Sequence, residues 1–373
     1  MVDLIIDKLH DMRFLVTLLS AVAAMATVIT IAMPYVFGDN LERRMKLVAV
    51  ERNKIRARER EKLAHGERVQ LRQSPKAYMQ TMLVASGCKR LLNEGKTTSL
   101  RGMFYMLKHT IEGTKENTFD DQDECDPVVE DIEVLLNSLR EELHLYASNS
   151  GTIVGPITLV DSGDTIDCSR MGSGGYSIPS IVEPDVMQFA KCDAKFILHV
   201  EKDTVWRRFN EDKFWKKHNC LLTHGMGQPP RGVRRLLNRL HVELKLPIYC
   251  LLDNDPWGYY IYSVIKQGSI NLAFESQRMA IPDVRFIGLR SKDFERCQLS
   301  DSVKIALNEN DRKRARQIAE YPWFAKKRQW QSEIEKMLKN DFKLEVESLI
   351  SKDISYVTEQ YVPARLADQD WLD

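Results

Sequence analysis

The chain has 373 residues, with 54 basic and 53 acidic side chains and a net charge of +1 at pH 7. That length allows two or three domains and an ample core, while the charge balance excludes a polycation, so any nucleic-acid surface must be a local patch. Cys88, Cys125, Cys168, Cys192, Cys220, Cys250 and Cys297 are odd in number, scattered and free of any CxxC pair, which points to reduced thiols rather than disulfides or a zinc site.

Residues 14–37 carry no charge and consist mostly of Leu, Val, Ala, Ile and Met, a run long enough to span a bilayer. It exceeds the apolar stretch of a signal peptide and lacks a basic start; a buried core helix is the other reading. Arg43, Arg44, Lys46, Arg52, Lys54, Arg56, Arg58, Arg60 and Lys62 follow, which by the positive-inside rule would leave the bulk of the chain in the cytoplasm. Next, Lys89, Arg90, Lys96 and Arg101 lead into a short helix over 100–107. At about 100° per residue, Leu100, Met103, Phe104 and Leu107 share one apolar face. Tyr105 falls off that face and joins Arg101 at i−4, with Lys108 and His109 close by. An ordinary amphipathic tyrosine would fit this pattern too. Residues 116–130, acidic and interrupted by Pro127, read as a loop.

The middle of the chain alternates strands and helices. Phe196-Ile197-Leu198-His199-Val200 and Ile248-Tyr249-Cys250-Leu251-Leu252 are continuous apolar runs, as suits strands covered on both faces of a parallel sheet. Between them, residues 203–219 read as a helix, 220–223 as a strand and 231–244 as a second helix ending before Pro247. Residues 259–266 are a further helix candidate and 284–289 a further strand. This order implies an α/β domain. From Asp301 onward the pattern is helical, and Tyr321, Trp323, Phe324 and Trp330 read as packing residues.

Each long strand runs into carboxylates: Glu201 after the first, Asp253-Asn254-Asp255 after the second. Ligands of such sheets bind beyond the carboxyl ends of the strands. Three carboxylates gathered there are costly unless cations neutralise them, and Mg²⁺ takes one or two carboxylates together with water and substrate phosphate. Asn254-Asp255-Pro256 on its own would also suit a solvated turn; Glu201 at the matching strand end favours a metal site acting on a phosphodiester. Arg231, Arg234, Arg235 and Arg239 recur at helical spacing and are candidates for phosphate contacts, or simply a solvated helix face.

Glu201 with Asp253-Asn254-Asp255-Pro256-Trp257-Gly258 resembles the toprim acidic triad. The wider stretch over 199–289 resembles the A subunit of archaeal DNA topoisomerase VI and the related meiotic double-strand-break transesterases. His224-Gly225-Met226-Gly227-Gln228-Pro229, Gly163-Asp164-Thr165-Ile166-Asp167-Cys168, Gly172-Ser173-Gly174-Gly175-Tyr176 and Ser263-Val264-Ile265-Lys266-Gln267-Gly268-Ser269 are similar to segments of that family. Leu100-Arg101-Gly102-Met103-Phe104-Tyr105-Met106-Leu107 resembles its catalytic helix. The likeness runs from about Tyr78 to the C-terminus.

The resemblance implies a winged-helix (CAP-like) domain followed by a toprim domain with a parallel sheet. The expected division is an N-terminal segment over 1–40 with its transmembrane helix, a basic linker over 41–77, a tyrosine-bearing domain over 78–150, a connecting segment over 151–190 and the toprim domain with C-terminal helices over 191–373. It also implies Tyr105 as nucleophile, Arg101 on the scissile phosphate, Mg²⁺ on Glu201, Asp253 and Asp255, and DNA contacts from Arg231, Arg234, Arg235, Gln228 and Lys108. The implied partners are duplex DNA, a second copy of the chain in a homodimer, and a B subunit, in an A2B2 assembly, that binds the ATP. The missing GxxxxGK[ST] phosphate loop agrees with ATP being held elsewhere.

Four positions depart from the family pattern. Gly102 stands where an acidic residue is common, Phe104 where tyrosine is frequent, Met226 where lysine is frequent and Asn254 where glycine is usual. None removes a catalytic group. Residues 1–77 are instead similar to the start of TadB-type inner-membrane proteins of pilus assembly, which puts coupling to a B subunit in doubt. The rival readings are therefore a non-enzymatic membrane component of a secretion platform carrying a topoisomerase-like passenger, and a toprim nuclease that would not use Tyr105.

Overall fold

The structure is a computed structural model describing residues 75–147, 150–268 and 275–373. The span expected over 14–37 lies outside them, and among the described residues no helix is long and apolar enough to cross a membrane. The described residues divide into two compact units: residues 75–86 with 107–138, and residues 87–106 with the described part of 139–373.

Three helices punctuate residues 75–138: α1 (Pro75–Glu94), α2 (Leu100–Leu107) and α3 (Gln122–Leu136). The loop expected around Pro127 is instead the middle of α3. Proline there removes one helical hydrogen bond, but Asp121 caps the start by accepting from the Glu124 N–H, and Asp123 and Glu124 sit in the first turn, where the helix dipole favours negative charge. Burial of Cys125, Val128, Val129 and Ile132 then outweighs the proline. In the same unit, the Gln80 amide donates to the Thr118 carbonyl, 2.8 Å, and the Thr118 hydroxyl to the Leu107 carbonyl, 2.7 Å. Among the described residues of 78–150, sheet structure is confined to the parallel pair β1 (Thr98–Ser99) and β2 (Leu145–Tyr146) and an antiparallel bridge Thr110–Asn117. The paired strands of a hairpin wing, expected for a winged helix, are not formed among these described residues.

The larger unit holds three further sheets, one of them the short antiparallel pair Ile305–Ala306 with Phe342–Lys343. β4 (Ile157–Asp161), β5 (Asp164–Asp167) and β7 (Met187–Cys192) form an antiparallel three-stranded sheet in the order β5-β4-β7. The six-stranded sheet has the order β11-β10-β8-β9-β3-β6, built from β3 (Thr152–Val154), β6 (Tyr176–Ser177), β8 (Phe196–Val200), β9 (Cys220–His224), β10 (Ile248–Leu251) and β11 (Arg285–Phe286). Its first four strands in that order run parallel, and β3 and β6 close the other edge antiparallel.

The crossovers are helical, as parallel pairing requires. Between β8 and β9 the chain makes α4 (Asp203–Glu211) and α5 (Phe214–His218), separate helices where one was expected, because Lys213 adopts a left-handed φ of 53°. Between β9 and β10 lies α6 (Arg231–Leu244), and after β10 comes α7 (Pro256–Gln267). Both faces are covered. Leu236, Leu237, Leu240, Tyr262 and Ile265 pack on one with Trp330, and Val205, Trp206, Phe209 and Phe214 on the other with Leu349 and Val362. This explains the unbroken apolar character of β8 and β10. All seven cysteines are free.

Candidate active site

The strand register decides which residues meet. Val200 of β8 pairs with His224 of β9 on one side and Leu251 of β10 on the other. The carboxyl ends of these three strands are therefore level, and the chain leaves them at Glu201, Gly225 and Leu252-Asp253. This is the edge at which parallel sheets bind ligands.

Glu201, Asp253 and Asp255 come together there. The Asp253 N–H donates to Glu201 Oε2 at 3.4 Å. Asp253 is only 4% exposed; its Oδ1 accepts from the Val346 N–H at 2.7 Å, and its Oδ2 takes the Lys202 ammonium at 2.8 Å. Asp255 caps α7, its Oδ1 accepting from the Gly258 N–H at 2.5 Å. A Cβ on Gly258 would stand 2.7 Å from the Asp253 carbonyl and 3.2 Å from the Asp255 carboxylate, so the turn closes only around glycine.

The electrostatics are those of crowded acids. Burial first, and then the charges of Asp253 and Asp255, push the Glu201 carboxyl up to about 8. Burial also lifts Asp253, to about 6, although Lys202 pulls it down, and burial lifts Asp255. Among the described residues, no three His, Cys, Asp or Glu side chains converge closely enough as they stand to cradle an ion. The donor chemistry nevertheless fits a hard divalent cation: three carboxylates at one edge, where an added cation offsets the burial and mutual repulsion that raise Glu201.

Tyr105 lies on α2 with the geometry its spacing implied. Met103, Phe104 and Leu107 are buried while Tyr105 is 61% exposed. The Arg101 guanidinium lies 5.8 Å from the centre of the tyrosine ring, and the hydroxyl beside it raises the guanidinium above its ordinary value.

The arginines of α6, expected as candidates for phosphate contacts, are each engaged by partners within the unit. Arg231 binds Glu141 through Nε at 2.9 Å and also pairs with Glu275. Arg234 is buried on Glu275, Nη2 to Oε1 2.8 Å. Arg235 grips Glu183 in two parallel bonds of 2.8 and 2.6 Å. Arg239 pairs with Glu243 and donates to the Met187 carbonyl at 2.7 Å. Of the other expected contacts, Gln228 and Lys108 are exposed, and Lys108 donates to the Asp120 carbonyl at 2.8 Å.

Sequence reasoning missed Lys202 and its partners Glu345 and Glu347. Lys202, next to Glu201, also pairs with Glu345 at 3.1 Å and Glu347 at 2.9 Å. The residue type beside Glu201 was a usable signal; Glu345 and Glu347, more than 140 positions away in the case of Glu347, offered none. In the loop after β9, which the sequence did single out, Met226 takes a left-handed φ of 57° and the Gly227 N–H donates to the Glu201 carbonyl at 3.0 Å.

A parallel sheet with a glutamate after one strand and an Asp-x-Asp turn after its neighbour defines a toprim domain. Residues 196–366 match the toprim domain of the family of topoisomerase 6 A subunits and Spo11, residues 76–145 the family described as "Type IIB DNA topoisomerase", and residues 149–193 the "All-beta domain in DNA topoisomerase VI alpha subunit". The type 2 DNA topoisomerase 6 A subunit of Aeropyrum pernix is 40% identical over 314 residues, covering 80% of each chain. That of Pyrococcus abyssi is 38% identical over 342 residues, covering 89% of this chain and 85% of its own. The DNA topoisomerase 6 A subunit of Arabidopsis thaliana is 34% identical over 268 residues, 72% of this chain and 62% of its own. The chain belongs to the family of topoisomerase VI A subunits, among the type IIB DNA topoisomerases. The Pyrococcus match covers a larger share of the chain than residues 78–373 make up, so it takes in part of the stretch before Tyr78.

Proposed function

We propose that the chain cleaves and rejoins duplex DNA as the A subunit of a type IIB topoisomerase, with Tyr105 as nucleophile and Glu201, Asp253 and Asp255 as the metal-holding acids. The observation that carries this reading is the meeting of those three acids, one raised to about 8, at adjoining strand ends, in a chain similar to topoisomerase VI A subunits over most of its length.

The Tyr105 oxygen attacks the scissile phosphorus, the tyrosyl ester forms as the bond to the 3′ oxygen breaks, and the phenol gives up its proton while the departing oxygen gains one. One phosphodiester is exchanged for another, so the reverse step religates the strand. A phenol with an ordinary pKa near 10 is a weak nucleophile, and the exposed position of Tyr105 beside Arg101 supplies both access and positive charge. Arg101 also stabilises charge developing on the phosphate oxygens. Mg²⁺ held by Glu201, Asp253 and Asp255 would supply Lewis-acid stabilisation of the phosphate and the leaving oxygen.

In this reading two copies of the chain act together, Tyr105 of each working with the acids of the other, and a B subunit in an A2B2 assembly binds and hydrolyses the ATP. The protein is DNA-associated, and Gln228 and Lys108 are the exposed candidates for phosphate contacts. The secretion-platform alternative draws on residues outside the described ones, and a toprim nuclease would leave an exposed tyrosine beside Arg101 without a role. The test is covalent capture: Tyr105→Phe should fold and bind DNA as the unaltered chain does but form no protein-linked 5′ ends. Adducts that persist in that variant exclude Tyr105.

A further inference from the structure

The acids at the strand ends already have a cation, and it belongs to the chain. Lys202 follows Glu201 directly and is the residue before α4, so its backbone is fixed between β8 and that helix. Its ammonium lies 2.8 Å from Asp253 Oδ2, 3.1 Å from Glu345 and 2.9 Å from Glu347. The 344–347 segment is held to the same point by backbone as well: Asn254 and Leu344 exchange N–H···O bonds of 2.9 and 3.1 Å, and the Val346 N–H donates to the other Asp253 oxygen. Both oxygens of Asp253 are thus occupied by this clasp, and among the described residues no group of three His, Cys, Asp or Glu side chains stands placed to hold a metal ion.

We propose that Lys202 is a positioning residue for the metal site, a resident counter-ion that holds Asp253 against the 344–347 segment and must release that oxygen when a divalent cation binds. This rests on the reading of Glu201, Asp253 and Asp255 as metal ligands. The sign of the consequence follows from charge. An ammonium on Asp253 competes with an incoming cation for the same carboxylate and repels it. Removing that charge leaves Asp253, Glu345 and Glu347 without a counter-ion, so the metal-free protein is weakened and the cation bound more tightly. A lysine that merely braced the fold would lower stability equally with and without metal and would leave metal affinity alone.

The experiment is calorimetric titration of Mn²⁺ into the full chain stripped with EDTA, with thermal melts in EDTA and in saturating Mn²⁺. Lys202→Met should bind Mn²⁺ about 3- to 10-fold more tightly, and its melting temperature should fall in EDTA but recover most of the loss in Mn²⁺. Lys202→Arg, which keeps the charge, should stay close to the unaltered chain. Unchanged or weaker binding by Lys202→Met, with equal destabilisation in both buffers, overturns the proposal. Should Lys202→Met not fold, the double variant Glu345→Gln/Glu347→Gln serves instead: it leaves the ammonium to Asp253 alone and should weaken Mn²⁺ binding, and stronger binding would overturn the idea. Glu201→Gln provides the separate control, since Mn²⁺ binding that survives it removes the metal site itself, whatever Lys202 does.

Discussion

The Asp253 amide points at the Glu201 carboxylate, nitrogen to Oε2 3.4 Å, because Leu251 and Val200 are register partners in adjacent parallel strands. One carboxylate is thereby placed beside two others before any cation arrives, and Glu201 bears the cost, its carboxyl raised to about 8.

That cost sets a pH dependence. A carboxyl whose folded pKa is raised binds its proton more tightly when folded, so stability is fullest below the ordinary value of 4.5 and is lost as pH rises through about 8. Asp253, raised to about 6, adds to the loss over the lower part of that window. Chemical denaturation of the EDTA-treated protein should therefore show declining stability from pH 5 to 8.5. Glu201→Gln should flatten that decline and be more stable at pH 8.5 by on the order of 2 kcal/mol, allowing for partial exposure of the site. A flat profile in the unaltered chain would show that the acids are already neutralised.

Asp255 has two tasks that separate by substitution. It caps α7 through the Gly258 N–H, and asparagine caps about as well as aspartate, whereas alanine costs about 1 kcal/mol. Asp255→Asn should melt near the unaltered chain yet fail to cleave DNA in Mg²⁺, as EDTA treatment should. Asp255→Ala should lose both cleavage and roughly 1 kcal/mol. Cleavage retained by Asp255→Asn would remove Asp255 from the metal site.

Much of this was legible in sequence where physics is local. The unbroken apolar runs of β8 and β10 marked a doubly covered sheet, and the spacing of Met103, Phe104 and Leu107 placed Tyr105 outward. Pairing across distance was not legible. The ion pairs of the α6 arginines could not be read because Glu141, Glu183 and Glu275 lie 41 to 90 positions away, and nothing near them announces the match. Pro127 misled for a related reason: its local cost is visible in sequence, while the burial that outweighs it depends on the folded unit. The Lys202 clasp joins residues up to 145 positions apart, and only its lysine, beside Glu201, left a local trace.

The α6 arginines give a prediction of their own. Arg235 holds Glu183 with two bonds in a largely buried site, and stranding one partner of a buried pair costs about 3–5 kcal/mol. Arg235→Ala should be strongly destabilised, while the salt dependence of DNA binding by the folded fraction should not change. A fall of about one in the salt slope, with stability intact, would restore Arg235 to the DNA surface.

The shared-site reading makes the most demanding prediction. If Tyr105 of one copy works with Glu201, Asp253 and Asp255 of its partner, a Tyr105→Phe chain and a Glu201→Ala chain are each inactive alone but complementary in a heterodimer. One composite site then joins the intact tyrosine of the second chain to the intact acids of the first; the other site has neither. Mixed dimers should therefore nick one strand of duplex DNA and form adducts only on the Glu201→Ala chain, which a size tag on one copy makes visible. Statistical mixing makes half of the dimers mixed, so nicking should reach about a quarter of the unaltered total of sites, with no double-strand breaks. If each site were built within one chain, no mixture would recover cleavage, because every chain present lacks one half. Heterodimers shown to form on DNA yet wholly inactive, with ATP and the B subunit supplied, would rule out sharing between copies and confine the chemistry to a single chain.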